Sequence, residues 1–153
     1  MADRARDWLN EAEYDLETAV ILLKNHRYNA ACFYAQQAAE KAVKAVLLSY
    51  NIWRAGHSIL DLLKELLRHH VEVPEELLDA ARALDKHYIP PRYPNVFNSG
   101  APHEHYTEED AREAVELVGK ALSFAREALR TCRSLGLPYA EEVADLCLAV
   151  IMA

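Results

Sequence analysis

Ala5, Trp8, Leu9, Ala12, Leu16, Ala19, Val20 and Leu23 recur in steps of 3, 1, 3, 4, 3, 1 and 3. Those steps draw one apolar stripe along a helix and leave the polar positions outside it. They predict a first helix over residues 3–25, with Asp3 as a candidate N-cap, ended where Asn25-His26-Arg27 breaks the pattern. A second helix is predicted over residues 28–50. It carries Ala30, Ala31, Ala35, Ala38, Ala39, Ala42 and Ala45, small side chains that let another helix approach closely. Phe33, Val43, Val46 and Leu47 add bulk, while Gln36, Gln37, Lys41 and Lys44 form a polar side. The short turn between these helices predicts antiparallel packing. Ser58 is the candidate N-cap of a third helix reaching His69 or His70, with Ile59, Leu62, Leu63, Leu66 and Leu67 on its apolar side. Pro74 opens a fourth, which carries Leu77, Leu78, Ala81 and Leu84 and must stop before Pro90.

Residues 89–106 contain Pro90, Pro91, Pro94, Asn95, Asn98, Gly100 and Pro102, which excludes a helix. An irregular stretch of 18 residues is unusual inside a small domain and is often functional. Beyond it Thr107 is the expected N-cap and Asp110 the N3 residue of a capping-box variant. Ala111, Ala114, Val115, Val118, Ala121, Leu122, Ala125 and Leu129 then form a fifth stripe, which Gly136 and Pro138 end. Val143, Leu146, Val150 and Ile151 could line one side of a short sixth helix. The expectation is an all-α, up-and-down bundle of about five helices over residues 3–135, followed by an apolar extension over 136–153.

Composition agrees: 153 residues make one domain, and 4 Gly with 6 Pro are few for a sheet protein. The net charge of −7 excludes a general basic coat for duplex DNA and leaves room only for a local basic pocket. Cys32, Cys132 and Cys147 are odd in number and widely spaced, which predicts reduced thiols in a cytoplasmic protein rather than a disulfide framework. The N-terminus has no apolar run of the signal-peptide kind, and the longest apolar run, residues 146–153, is too short to span a bilayer. That run would be an aggregation hazard if exposed, and together with the alanine surface of the second helix it predicts a homodimer or larger assembly.

No Glu has a His three residues later, so a di-iron carboxylate bundle is excluded. Phosphate-loop, dinucleotide and nucleophile-elbow motifs are absent too. His69-His70 and His103-Glu104-His105 are clusters without the spacing of a metal site, so neither a metal nor another cofactor is expected. His69 and His70 fall in a last turn, where a cation complements the helix dipole. His57, between Gly56 and Ser58 at a helix start, is either a neutral proton carrier beside a bound phosphate or a local cap. Arg92 stands out in Tyr88-Ile89-Pro90-Pro91-Arg92-Tyr93-Pro94, carried on an arm that three prolines stiffen. It suits bidentate capture of phosphate or carboxylate, or else an internal ion pair that pins the loop. Lys41 and Lys44, three apart on one helix face, would complete a basic cluster with Arg92.

The segment Phe33-Tyr34-Ala35-Gln36-Gln37-Ala38-Ala39-Glu40-Lys41-Ala42-Val43-Lys44-Ala45 resembles the second-helix signature of the HEPN domain (higher eukaryotes and prokaryotes nucleotide-binding). Gly56-His57-Ser58-Ile59-Leu60-Asp61-Leu62-Leu63 and Asp85-Lys86-His87-Tyr88-Ile89-Pro90-Pro91-Arg92-Tyr93-Pro94 follow in that family's order. Ala5-Arg6-Asp7-Trp8-Leu9 before them and Tyr106-Thr107-Glu108-Glu109-Asp110-Ala111 after them also fit, so the resemblance covers about residues 3–130. It implies a bundle of about five helices, usually dimeric and often encoded beside a minimal nucleotidyltransferase as a toxin–antitoxin-like pair. Many members are metal-independent ribonucleases with an Arg-x(4–6)-His motif. Arg82 and His87 satisfy that spacing, although about 1.5 such matches arise by chance in this composition. Positions i and i+5 of a regular helix also point about 140° apart, so the pair converges only if the helix ends between them.

Three functions follow as expectations. The first is a binding subunit for nucleotide or RNA, with a nucleotidyltransferase partner and a pocket of Lys41, Lys44, His57, Arg92 and Tyr93. The second is a metal-independent ribonuclease in which His57 or His87 moves a proton and Arg92 or Arg82 stabilises phosphorane charge. The third is a helical interaction module without a ligand.

Overall fold

The computed structural model describes residues 2–133; the expected extension over 136–153, with its sixth helix and Cys147, lies outside the described residues, as does the side chain of Cys132. Five α-helices are present: α1 (Ala2–Lys24), α2 (Tyr28–Ser49), α3 (Ile59–Arg68), α4 (Glu75–Asp85) and α5 (Glu108–Arg133). Two single 3₁₀ turns, Pro94–Val96 and Pro102–Glu104, interrupt the irregular stretch between α4 and α5. No strand occurs among the described residues, and no helix there is long and apolar enough to cross a membrane.

The apolar stripes become one core. Leu9, Ala12, Leu16, Ala19 and Val20 of α1 meet Ala31, Ala35, Ala38, Ala39, Ala42 and Val46 of α2, and Ala111, Ala114, Val118, Ala121, Leu122 and Ala125 of α5 close over both. α2 is the central post and packs against all four other helices, while α3 and α4 also pack on each other. The five alanines just named in α2 are therefore filled by neighbours within one chain, and the alanine density by itself asks for no second copy. A half-buried ion pair, Arg126 Nε to Glu13 Oε1 at 3.1 Å, ties α5 to α1.

The helix ends follow local chemistry. Ser58 Oγ accepts the Asp61 N–H at 3.2 Å, and Pro74 precedes α4 as its N-cap. Thr107 and Asp110 form the expected reciprocal capping box: Asp110 N–H to Thr107 Oγ1 at 3.2 Å, Thr107 N–H to Asp110 Oδ2 at 2.8 Å. The start of α1 differs, because the helix already includes Ala2 and Asp3.

Three helices end alike. His26, Asn51 and His70 adopt φ of 60°, 64° and 62°, each one residue past the cap. The next residue then donates back to the last turn, Arg27 to Leu22, Ile52 to Leu47 and Val71 to Leu66, at 2.9, 2.9 and 3.0 Å. This is the Schellman arrangement, which favours glycine. His70 is therefore not a last-turn cation but a side chain held in the left-handed region. His70→Gly is expected to raise stability by about 0.5–1 kcal/mol, and His70→Val to lower it by more; urea midpoints of the two variants measure this.

Candidate functional site

Arg92 sits where the chain leaves α4 and runs past the start of α2. The Pro91 carbonyl accepts from Asn29 Nδ2 at 3.0 Å, which moors the proline segment to α2. Arg92 folds back so that its Nε donates to the Tyr88 carbonyl at 2.8 Å. Its guanidinium carbon lies 4.4 Å from the Phe33 ring centroid, 4.7 Å from Tyr88 and 5.2 Å from Tyr93. Three aromatic rings thus hold the plane of the fork by cation–π contact. Arg92 forms no ion pair among the described residues, and its terminal nitrogens have no acceptor there. The pinning ion pair considered from the sequence is absent among the described residues. What remains is a half-buried cation with its Nε occupied and its outer edge open.

His57 packs on the same tyrosine. Its ring stacks on Tyr88 at 4.6 Å with the planes 18° apart. Nδ1 is 3.2 and 3.3 Å from the two oxygens of Glu40. Glu40 itself is buried and also accepts from Lys44 Nζ at 2.8 Å and Gln37 Nε2 at 3.3 Å. Gln36 Nε2 holds the backbone of this loop through the His57 carbonyl at 2.8 Å. The other ring nitrogen of His57 has no partner among the described residues, and the side chain is 55% exposed. Tyr88 therefore gathers His57 and Arg92 around one ring.

The helix start next to His57 is already filled by an anion from the protein. Asp85, the last residue of α4, accepts from the Ile59 N–H at 2.8 Å, the Leu60 N–H at 3.1 Å and Ser58 Oγ at 3.0 Å. An external phosphate cannot use those groups, so the expected anion site on the α3 N-terminus is occupied from within.

The lysines are engaged as well. Lys44 is buried between Glu40 and the face of Trp8, 5.4 Å from that ring's centroid. Lys41 Nζ pairs with Asp15 Oδ2 at 2.5 Å. Burial pushes the Asp15 carboxyl above its ordinary range, against the opposing pull of Lys41. Lys44 reaches the His57 group only through Glu40, Lys41 turns toward α1, and neither stands beside Arg92 as a free cation. Tyr93, nearly half exposed, remains with Arg92 as expected.

The Arg-x4-His pair does not come together. Arg82 is exposed and pairs with Asp79 at 2.8 Å, whereas His87 turns inward to Tyr106, 3.5 Å from Nδ1 to the hydroxyl. α4 does end between them, but the chain leaves it with His87 directed at the base of α5, and no contact joins the two among the described residues. Burial lowers the His87 pKa, partly offset by Asp110 and Glu113, and raises that of Tyr106. Burial likewise pushes the Cys32 thiol up to about 12, so it stays protonated and inert. His105 stacks on Phe97 at 4.0 Å and meets the Ser99 carbonyl at 2.7 Å, and His103 is exposed. No group of three His, Cys, Asp or Glu suited to an ion occurs among the described residues.

The buried His87 predicts a pH dependence. Its folded-state pKa lies below the ordinary value of about 6.5, so below that pH the unfolded chain binds a proton that the folded chain refuses. The contribution is present above the unfolded value and is lost as pH falls toward the folded one. His87→Gln is expected to flatten the fall in melting temperature between about pH 7 and pH 5, which melts across that range measure.

Residues 5–128 match the HEPN domain family. The chain belongs to it. Among HEPN relatives, a Methanocaldococcus jannaschii protein named as a putative toxin is 30% identical over 135 residues, 82% of this chain and 88% of that one. A crystal structure from Thermus thermophilus superposes with a TM-score of 0.79 at 48% identity, covering 82% of this chain and 98% of that one. An archaeal HEPN homologue gives 0.70 at 41%, covering 82% and 97%. A HEPN domain protein of Thermotoga maritima gives 0.66 at 38%, covering 81% and 98%. The bundle is thus a HEPN fold, and Glu40 and Asp85, which meet His57 and the start of α3, were not singled out from the sequence.

Proposed function

We propose that this HEPN protein is the nucleotide- or RNA-binding subunit of a toxin–antitoxin-like pair, working as a homodimer with a minimal nucleotidyltransferase, and that Arg92 is its phosphate ligand. The observation that carries the reading is the caged guanidinium. Three rings and one carbonyl hold its plane while the outer edge stays unpaired, and that edge is the part that grips a phosphate bidentately. Lys41 and Lys44 are held by Asp15 and Glu40, so neither competes with it as a free cation. The likeness to a protein named as a toxin supports the pairing. Titrating a labelled oligoribonucleotide at rising salt tests the site. A saturable affinity with a shallow salt slope, about one phosphate contact, is expected; a steep slope would point to a diffuse surface instead. Light scattering and co-purification with the neighbouring gene product test the assembly.

The Glu40–His57 contact favours a second reading, metal-independent RNA cleavage. The ribose 2′-OH would give its proton to His57 Nε2 as its oxygen bonds phosphorus. The 5′-oxygen would leave with a proton from water, and Arg92 would hold the phosphorane charge. Incubating the protein with total RNA, with and without chelator, separates the two: cleavage that persists in chelator and is lost in His57→Phe selects the second.

A further inference from the structure

Glu40 has a task that a simple core ion pair does not need. Its carboxylate lies 4% exposed, with Lys44 Nζ on one oxygen, Gln37 Nε2 on the other, and His57 Nδ1 within 3.3 Å of both. A carboxylate paired with an ammonium only accepts, and Lys44 Nζ lies 2.8 Å from Glu40 Oε1. Every partner must therefore donate. A neutral His57 then carries its single proton on Nδ1, pointed at Glu40, and offers Nε2 as a bare acceptor. Stacking on Tyr88 fixes the ring's plane, and Gln36 fixes the backbone beneath it.

A bare acceptor repels phosphate oxygen. It suits a hydroxyl, and within a nucleotide the hydroxyl nearest the phosphate belongs to the sugar. We infer that Glu40 is the specificity-determining residue of this site: by holding His57 as the Nδ1–H tautomer, it makes the pocket select a ribose hydroxyl beside the phosphate and disfavour deoxyribose. The inference rests on Arg92 binding phosphate. Removing the sugar hydroxyl takes away the donor that Nε2 would meet on the nucleotide, and sugar discrimination depends on such hydrogen bonds.

The probes are uridine 3′-monophosphate and its 2′-deoxy counterpart, neither of which can be cleaved at a diester. At a pH where ¹⁵N NMR finds the His57 ring neutral, the spectrum should report the Nδ1–H form. The wild-type protein should bind the ribonucleotide about fivefold more tightly, as one hydrogen bond allows. Glu40→Gln puts an amide donor among three donors, so the tautomers should mix. The preference should then fall toward parity, with the deoxynucleotide affinity within about twofold of wild type. His57→Phe keeps the stack on Tyr88 on a half-exposed position and removes Nε2, so it should fold and show no preference, and the tautomer seen in the wild type reports on Glu40 even if Glu40→Gln is unstable. An Nε2–H tautomer, equal binding of the two nucleotides by the wild type, or a preference that survives His57→Phe would overturn the inference. If both nucleotides bind equally the phosphate site stands and only the role of Glu40 falls; if neither binds, the phosphate reading falls with it.

Discussion

Replacing Arg92 by alanine is expected to weaken nucleotide or RNA binding by about 1.5–3 kcal/mol, the range of a charged hydrogen bond. The fork's outer edge is an unpaired cationic group, while Lys41 and Lys44 are paired with Asp15 and Glu40, so neither lysine compensates for its loss. Stability should fall too, by about 1–2 kcal/mol, because the guanidinium also meets three rings and the Tyr88 carbonyl. Both effects are separable if titrations are run well below the melting temperature of the variant. Arg92→Lys keeps the charge and loses the planar fork, so it should recover part of the affinity and little of the ring packing. A variant that melts earlier but binds as tightly as the wild type would reduce Arg92 to a pin for the proline segment.

The elements were legible because each helix carries its own period. The stripe on α1 and the stripe on α5 turned into buried faces almost residue for residue, and Ser58, Thr107 and Asp110 act as caps because a cap is a local arrangement of three or four residues. The segment that carries Arg92 was also legible, since three prolines exclude a helix there. The charges were not. Lys41 and Lys44 share a face, yet one meets Asp15 across the α1–α2 interface and the other Glu40 one turn away. Which of several acidic residues a lysine reaches depends on the register of two helices, and a single sequence does not carry that register. For the same reason Glu40 read as one more polar position, although its burial organises His57. The match at Arg82 and His87 failed for the opposite reason: spacing was visible, but the direction of the chain after Asp85 was not.

That change of direction makes Asp85 the site of the largest expected loss of stability. It ends α4, begins the segment that leads to Arg92, and reaches 26 residues back to cap α3. Its two oxygens satisfy the Ile59 and Leu60 N–H groups and the Ser58 hydroxyl, with distances of 2.8, 3.1 and 3.0 Å. A helix start left without these acceptors loses a charged cap, and partly buried N–H groups lose their partners. Asp85→Ala is therefore expected to cost about 2–4 kcal/mol in urea unfolding. Asp85→Asn, which still accepts through one oxygen but without the charge, should cost about half as much. Binding should follow, since Ser58 adjoins His57 and Tyr88 lies three residues beyond Asp85. When the junction loosens, the ring between His57 and Arg92 is no longer fixed from either side. Nucleotide affinity in Asp85→Asn, measured where the variant is fully folded, should fall even though Asp85 touches no ligand. Unchanged affinity would show that Tyr88 is held by Phe33 and the proline arm alone, and an unchanged urea midpoint would show that the α3 start is satisfied by Ser58 and water.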